Sequence, residues 1–145
     1  MGQQTMIYAH SLGRANRYYA QRTALVVDSA DMSFKALHER VKNVAAALVA
    51  NGFAARDRLA LLLSNSPEYI ELVYACSWLG VAAVPINTRL CAAEIDRALL
   101  DAQPRGLVRH SSLPKPTVLL PWQLVLEKRR WTFEGGKAHT KRAQP

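Results

Sequence analysis

The side chains that could perform chemistry are few and widely spaced in this 145-residue chain. Its four histidines lack the spacing of a metal site, so we interpret each as a surface or capping residue rather than a catalytic base; they are His10, His38, His110 and His139. The chain has no GxGxxG, GxxxxGK[ST], GxSxG, HExxH or CxxC motif, which removes the usual phosphate-loop, activated-serine and zinc signatures. The sequence therefore predicts no catalytic, cofactor-binding or metal-ligating residue.

Two cysteines and one pair of glutamates have both a chemical and a structural interpretation. Cys76 falls on a predicted helix beside Val73 and is expected to be a small buried hydrophobic residue. Cys91 falls at a helix N-terminus, which increases thiol reactivity, but we favour a replaced cap residue. Glu68 and Glu71 are three positions apart on a helix. Catalytic carboxylates need a cleft, and we expect these two to lie on a solvated face instead.

Composition and charge divide the chain into two unequal parts. Half of the residues are apolar and 21% are charged, which predicts a folded chain. No apolar run approaches the roughly 18 residues of a membrane span, and the N-terminus lacks the pattern of a secretory signal. Residues 1–110 carry 12 basic and 9 acidic residues, a net +3, whereas residues 111–145 carry 7 and 2, a net +5. The two cysteines are too few for a disulfide scaffold, so we expect a cytoplasmic location.

The second part, residues 114–145, is expected to be a basic, irregular and disordered tail. Its Lys128–Arg130 run beside Trp131 suits a phosphate backbone or an anionic membrane surface. The apolar stretch Val118–Leu126 before it could form an interfacial anchor, although Pro121 interrupts a helix there. We favour a solvated tail, and therefore expect no nucleic-acid partner and at most a weak peripheral contact with a membrane.

The first part, residues 1–113, alternates short apolar runs with helical patterns, which predicts α/β architecture with a partial parallel sheet and flanking helices. The predicted strands cover residues 23–28, 58–64, 81–87 and 106–110, and residues 32–34 turn back on the first strand as a small hairpin. One helix is expected over residues 8–19. Three more begin after the cap residues Ser33, Ser66 and Cys91, and glycines end two of them.

Residues from about Tyr8 to Leu113 resemble the N-terminal stretch of the adenylate-forming (AMP-binding) acyl-CoA synthetase and ligase superfamily. The most specific segments are Asn65-Ser-Pro-Glu-Tyr-Ile-Glu-Leu72 and Leu79-Gly-Val-Ala-Ala-Val-Pro-Ile-Asn-Thr-Arg-Leu90. Four further segments match weaker family patterns in the same order, namely Arg22–Asp28, Met32–Leu37, Ala45–Leu48 and Asp57–Asn65. No single segment is specific by itself, but their order and spacing carry the resemblance.

The resemblance implies a ligase that joins a carboxylic acid to coenzyme A. In the family, ATP and Mg²⁺ convert the acid to an acyl-adenylate, and coenzyme A then displaces AMP. The family's phosphate loop ending in Pro-Lys-Gly, its Tyr-Gly-x-Thr-Glu adenine segment, its ribose-binding aspartate and its C-terminal catalytic lysine have no counterpart here. The resemblance therefore implies a scaffold fragment, truncated before the phosphate loop, with no catalytic activity of its own and no cofactor for this chain.

Two alternatives remain open at this point. The chain could be a non-enzymatic interaction module that binds a full-length ligase, or one half of a split ligase whose complementary chain carries the chemistry. The segment Pro85–Leu90 is more like that of acyl-CoA ligases than that of peptide-synthetase adenylation domains. This difference favours a fatty or aromatic acid as the family substrate.

Two departures from the family pattern have a direct physical meaning. Ala36 replaces the glutamate that completes a capping box, and Cys91 replaces a serine or threonine cap. Loss of such a cap costs about 0.5–2 kcal/mol. The resemblance also ends after Leu113, as a shifted reading frame or an inserted unrelated sequence would produce.

Overall fold

A computed structural model describes residues 8–27, 30–127, 131–134 and 137–140 of the chain. Their elements, in chain order, are α1 (Tyr8–Tyr19), β1 (Thr23–Val27), β2 (Ala30–Ser33), α2 (Phe34–Ala50), β3 (Arg58–Leu62), α3 (Pro67–Leu79), β4 (Ala82–Pro85), α4 (Ala92–Ala102), β5 (Gly106–His110), β6 (Trp122–Leu126), β7 (Trp131–Glu134) and β8 (Lys137–Thr140).

The central element is a four-stranded parallel sheet in the order β4-β3-β5-β6. The strands β1 and β2 form the separate antiparallel hairpin that the sequence predicts, and β7 and β8 form a second one. The helices α2 and α3 pack on one face of the sheet, where Leu59, Leu61 and Val108 are fully buried. The helix α4 covers the other face through Ile95 and Leu99.

The direction of the connections explains why successive helices lie on opposite faces. From β3 the chain crosses through α3 to β4 on one side, and from β4 it returns through α4 to β5 on the other side of β3. Crossover connections between parallel strands are almost always right-handed, so a reversal of direction moves the helix to the opposite face. The two faces therefore carry separate cores.

The helix ends follow the predicted cap residues. The Ser33 hydroxyl accepts a hydrogen bond from the Ala36 backbone N–H at 3.2 Å, and the Ser66 hydroxyl accepts one from Tyr69 at 3.3 Å. The helix α3 ends at Gly80, whose φ of +70° is in the left-handed region that glycine adopts without strain. These local interactions fix where α2 and α3 begin and where α3 ends.

Cys91 occupies the predicted cap position at the start of α4, and the Glu94 side chain forms a hydrogen bond back to this residue. Glu94 accepts a hydrogen bond from the Cys91 backbone N–H at 2.9 Å. This hydrogen bond is the main cause that lowers the pKa of the Glu94 carboxyl below its usual value. It forms one half of a capping box at α4, and the Cys91 side chain faces the backbone N–H of Glu94 in the other half.

The strand β6 lies in the segment that the sequence analysis assigns to an irregular tail. Residues 122–126 pair in parallel with β5, with Trp122 opposite Gly106. A Cβ at Gly106 would lie 2.7 Å from the Trp122 ring, so the glycine is what lets the ring pack there. Phe53 meets the same ring edge-on at 5.2 Å between centroids. The fourth parallel strand is thus β6, whereas the first predicted strand belongs to the hairpin.

Candidate functional site

The carboxyl edge of the parallel sheet is the first place to look for a site. In open α/β sheets, ligands bind beyond the carboxyl ends of the strands where the strand order reverses. Here the reversal falls between β3 and β5. The residues that follow these strands are Leu63–Asn65 and Ser111–Leu113.

Beyond β5, a histidine and a serine are in contact. The Nδ1 atom of His110 lies 2.7 Å from the Ser112 hydroxyl and accepts a hydrogen bond from the Ser112 backbone N–H at 3.2 Å. The Arg109 guanidinium donates to the carbonyls of His110 and Leu113 at 3.3 and 3.2 Å. These contacts join residues no more than four positions apart and close a turn. In the described part of the chain, no carboxylate orients the imidazole as a catalytic triad requires.

The turn after β4 is closed in the same local way. The side-chain oxygen of Asn87 accepts a hydrogen bond from the Arg89 backbone N–H at 3.0 Å. Cys91, which follows, is exposed and unpaired. The carboxyl edge therefore presents turns that stabilise the ends of strands. Among the residues that the structure describes there, the contact between His110 and Ser112 is not joined by a carboxylate that orients the imidazole.

The two glutamates expected on a solvated face are instead buried between helices. Glu68 and Glu71 are 3% and 2% exposed. Arg40 of α2 donates to both carboxylate oxygens of Glu71, at 2.6 and 3.3 Å, and so joins α2 to α3. Because burial outweighs the attraction of this arginine, the pKa of Glu71 is raised to about 7. The positions Glu68, Glu71, Leu72 and Ala75 form one helical face, so the helical spacing was a signal for their burial.

A groove open to solvent runs between α1, α2 and α3, and it contains two of the four histidines. Its lining has cationic and aromatic side chains and no carboxylate, namely those of His10, Arg14, Asn16, Arg17, Tyr18, His38 and Trp78, together with Gly13. The His38 ring lies 5.5 Å from the Trp78 ring. It is mostly buried, contrary to the expected surface position, and its Nδ1 atom has no hydrogen-bond partner among the described residues. The described lining therefore carries positive charge from Arg14 and Arg17.

Of the remaining residues that the sequence analysis considers, Cys76 lies in the core, and His139 and Trp131 lie in strands. Cys76 is buried in the core, as expected, and burial raises the pKa of its thiol to about 12, which makes the thiolate scarce. His139 lies in β8, where only the backbone is described. The same holds for Trp131 in β7, and Lys128–Arg130 lies outside the described residues.

The described residues contain neither a metal-binding cluster nor a helix that could span a membrane. No group of three or more His, Cys, Asp or Glu side chains is placed to hold a metal ion within residues 8–27, 30–127, 131–134 and 137–140. Across the same residues, none of the helices is both long enough and apolar enough to cross a bilayer.

Comparison with known proteins identifies the scaffold. The family model described as "AMP-binding enzyme" matches residues 12–142. The match therefore continues through most of the segment after Leu113, where the sequence analysis expects the resemblance to end. A curated relative, the 2-succinylbenzoate–CoA ligase of Oceanobacillus iheyensis, is 34% identical over 85 residues, which are 59% of this chain and 18% of that protein.

Solved structures show the same fold over most of the chain. A fatty acyl-CoA synthetase of Mycobacterium tuberculosis superposes with a TM-score of 0.76 and 26% identity, over 83% of this chain and 26% of that one. The N-terminal domain of FACL13 from the same organism gives a TM-score of 0.74 and 27% identity, over 82% of this chain and 33% of that one. This chain thus spans a third or less of the length of these relatives.

Proposed function

Because the chain belongs to the AMP-binding enzyme family, we propose that it is the N-terminal scaffold portion of an ATP-dependent carboxylic acid–CoA ligase and has no catalytic activity by itself. The observation that carries this proposal is the position of its ionisable groups. Among the described residues, the two groups with strongly raised pKa values are Glu71 and Cys76, and both are buried in the helix layer and not at the carboxyl edge of the sheet.

The carboxyl edge supports the same conclusion. The side chains of Asn87 and His110, which follow or end β4 and β5, form hydrogen bonds within their own turns. We therefore assign them a structural role rather than contacts with a substrate. Transfer of an adenylyl group requires charged side chains or a metal at the phosphates. In the described residues no acidic cluster is placed to hold Mg²⁺. We propose that ATP, Mg²⁺ and coenzyme A are bound by the complete ligase and that this chain holds none of them by itself.

The names of the relatives support a carboxylic acid as the family substrate, but they differ from one another. They include ligases for 2-succinylbenzoate, indoleacetate and long-chain fatty acids. We propose an acid of fatty or aromatic type for the complete ligase and a cytoplasmic location. The location is proposed because two cysteines are too few for a disulfide scaffold.

The experiment that tests the scaffold proposal is ATP–pyrophosphate exchange. The purified 145-residue chain is supplied with Mg²⁺, ATP, labelled pyrophosphate and fatty and aromatic acids. We expect exchange no faster than in a sample without protein. Acid-dependent exchange that co-purifies with the chain through two different separations would overturn the proposal.

One observation favours a second candidate, in which the chain is half of a split ligase. The strand β6 lies at the edge of the sheet, and Val125 on it remains 37% exposed. Parallel sheets are usually covered on both faces. A partner chain that carries the rest of the domain would supply this cover and restore activity to the mixture.

A further inference from the structure

A cationic wall lines the groove between α1, α2 and α3 on its α1 side. The groove has a volume of about 970 Å³ and is open to solvent. His10, Arg14 and Arg17 are spaced by four and then three positions, which places them on one face of α1, and all three are exposed. On the other side of the helix, Leu12 is buried in the core. The two arginines are therefore carried on a helix that is fixed to the rest of the fold.

The α2 and α3 sides of the groove are aromatic. The rings of His38 and Trp78 lie 5.5 Å apart at an angle of 46°, and Trp78 remains 40% exposed. Glu39 lies 3.7 Å from the His38 Nδ1 atom, so we assign the attraction for anions to the two arginines and not to this histidine. A guanidinium pairs with a carboxylate through two parallel hydrogen bonds, and an indole ring adds apolar contact area. The lining therefore suits a ligand that is both acidic and apolar.

Gly13 lies in the groove lining on α1, between the positions of the cationic side chains. Glycine is an unfavourable residue inside a helix, second only to proline. A Cβ at this position would meet no described atom within 4 Å, so close packing does not require the glycine. A larger side chain would extend into the open space instead. Position 13 is therefore a place where a side chain is tolerated by the fold and obstructs the groove.

The dimensions and charge of the groove favour a short peptide segment. From His10 to Tyr18 the helix rises about 12 Å, which is the length of about four residues of extended chain. Pockets for small molecules enclose most of their ligand, whereas this groove is open. Nucleic-acid sites commonly neutralise about six or more phosphates, and the described lining has two arginines. A second copy of the chain is disfavoured, because each copy carries a net charge of +8.

We propose that this groove binds an acidic segment of another protein, with carboxylates on Arg14 and Arg17 and an apolar side chain against Trp78. The inference concerns a binding partner and does not rest on the proposed function.

The test uses the full 145-residue chain and an unlabelled peptide of glutamates around a central tryptophan. Isothermal titration calorimetry measures binding, and two-dimensional NMR of the ¹⁵N-labelled chain locates it. We expect saturable one-to-one binding, with shifts concentrated at the amides of Gly13, Arg14 and Arg17 and at the Trp78 indole. The same peptide with glutamines in place of the glutamates should bind about tenfold or more weakly.

Three outcomes of this experiment would overturn the inference. The first is the absence of peptide binding, and the second is a set of shifts concentrated outside the groove. The third is binding to phosphatidylglycerol vesicles or to a single-stranded oligonucleotide that is tighter than binding to the peptide and shifts the same amides. That result would assign the groove to a membrane or to nucleic acid.

Arginine variants test the charge of the groove. We expect Arg14→Gln and Arg17→Gln each to weaken peptide binding about fivefold or more, since each removes one guanidinium–carboxylate pair. Arg97→Gln, on the exposed side of α4, is the matched control and should change binding by less than about twofold. Arg17 lies in the last turn of α1, where a positive charge also stabilises the helix end, whereas Arg14 does not. A loss of binding equal in all three variants would contradict the inference.

Variants of Gly13 test the shape of the groove without changing its charge. Gly13→Leu should weaken peptide binding about tenfold or more because the side chain fills the open space, and Gly13→Ala should leave binding unchanged. Both variants should resist urea at least as well as the unmodified chain, since leucine and alanine favour helices more than glycine does. Binding that Gly13→Leu does not weaken would show that the peptide lies elsewhere. ATP–pyrophosphate exchange by the chain bears on the proposed function and leaves this result untouched.

Discussion

Replacement of Glu71 by glutamine is expected to change how the stability of the chain depends on pH. The carboxyl is 2% exposed, and its pKa is raised from 4.5 to about 7 by burial, with a smaller contribution from the neighbouring Glu68. The hydrogen bonds from Arg40 and the charge of that arginine act in the opposite direction without cancelling burial. Glutamine keeps an acceptor for Arg40 and removes the titration.

The size of the stability change follows from the pKa of Glu71 in the unfolded chain, 4.5, and in the folded chain, about 7. Below pH 4.5 the carboxyl is protonated in the folded and the unfolded chain, and its full contribution to stability is present. As the pH rises through about 7, the unfolded chain releases the proton first, so the folded state loses stability. An interval of about 2.5 pH units corresponds to roughly 3 kcal/mol. The stability of Glu71→Gln relative to the unmodified chain should therefore rise by about this amount between pH 4.5 and pH 8.

Urea unfolding at several pH values, followed by circular dichroism, measures this difference. Glu39→Gln is the control, because the Glu39 side chain is 55% exposed and approaches His38 and Lys42 only at 3.7 and 3.6 Å. Its difference from the unmodified chain should stay within about 1 kcal/mol across the range. A Glu71→Gln difference that stays constant or falls as the pH rises would refute the burial argument.

Three further predictions concern cysteine reactivity, a helix cap and a loop contact. At pH 8, iodoacetamide should label the exposed Cys91, and it should label the buried Cys76 only after the chain unfolds. Peptide mass spectrometry measures both reactions, and equal labelling of the two cysteines in the folded chain would contradict the burial of Cys76. Ser66→Ala should lower the free energy of unfolding by about 1 kcal/mol in urea, since the Tyr69 N–H loses its acceptor, and no change would contradict that role. Asp96→Ala should speed amide exchange at residues 117 and 118 while β3 amides stay protected; unchanged exchange there would show that the loop is held by other contacts.

The local signals in the sequence predicted local structure well. The caps at Ser33 and Ser66 and the stop at Gly80 are each set by residues within one helical turn, so the pattern contains the whole cause. The apolar runs likewise predicted β3 and β5, because strands buried on both faces need continuous apolar side chains.

The features that sequence reasoning missed depend on distant partners. The hydrogen-bond partner of the buried Glu71 is Arg40, 31 positions away, and a helix considered alone cannot reveal that pair. The strand β6 was obscured by neighbouring prolines and basic residues. The alternation of Trp122, Leu124 and Leu126 was a usable signal, but the space that Gly106 on β5 leaves for the Trp122 ring involves a residue 16 positions away.

The central claim is that this chain supplies scaffold and none of the groups that handle ATP. Titration of the ¹⁵N-labelled chain with Mg²⁺–ATP, followed by two-dimensional NMR, tests it most directly. We expect no saturable change in the amide signals of Leu63, Ser64 or His110 at the carboxyl edge of the sheet. Saturable shifts concentrated at those residues, absent with Mg²⁺ and inorganic phosphate alone, would contradict the claim.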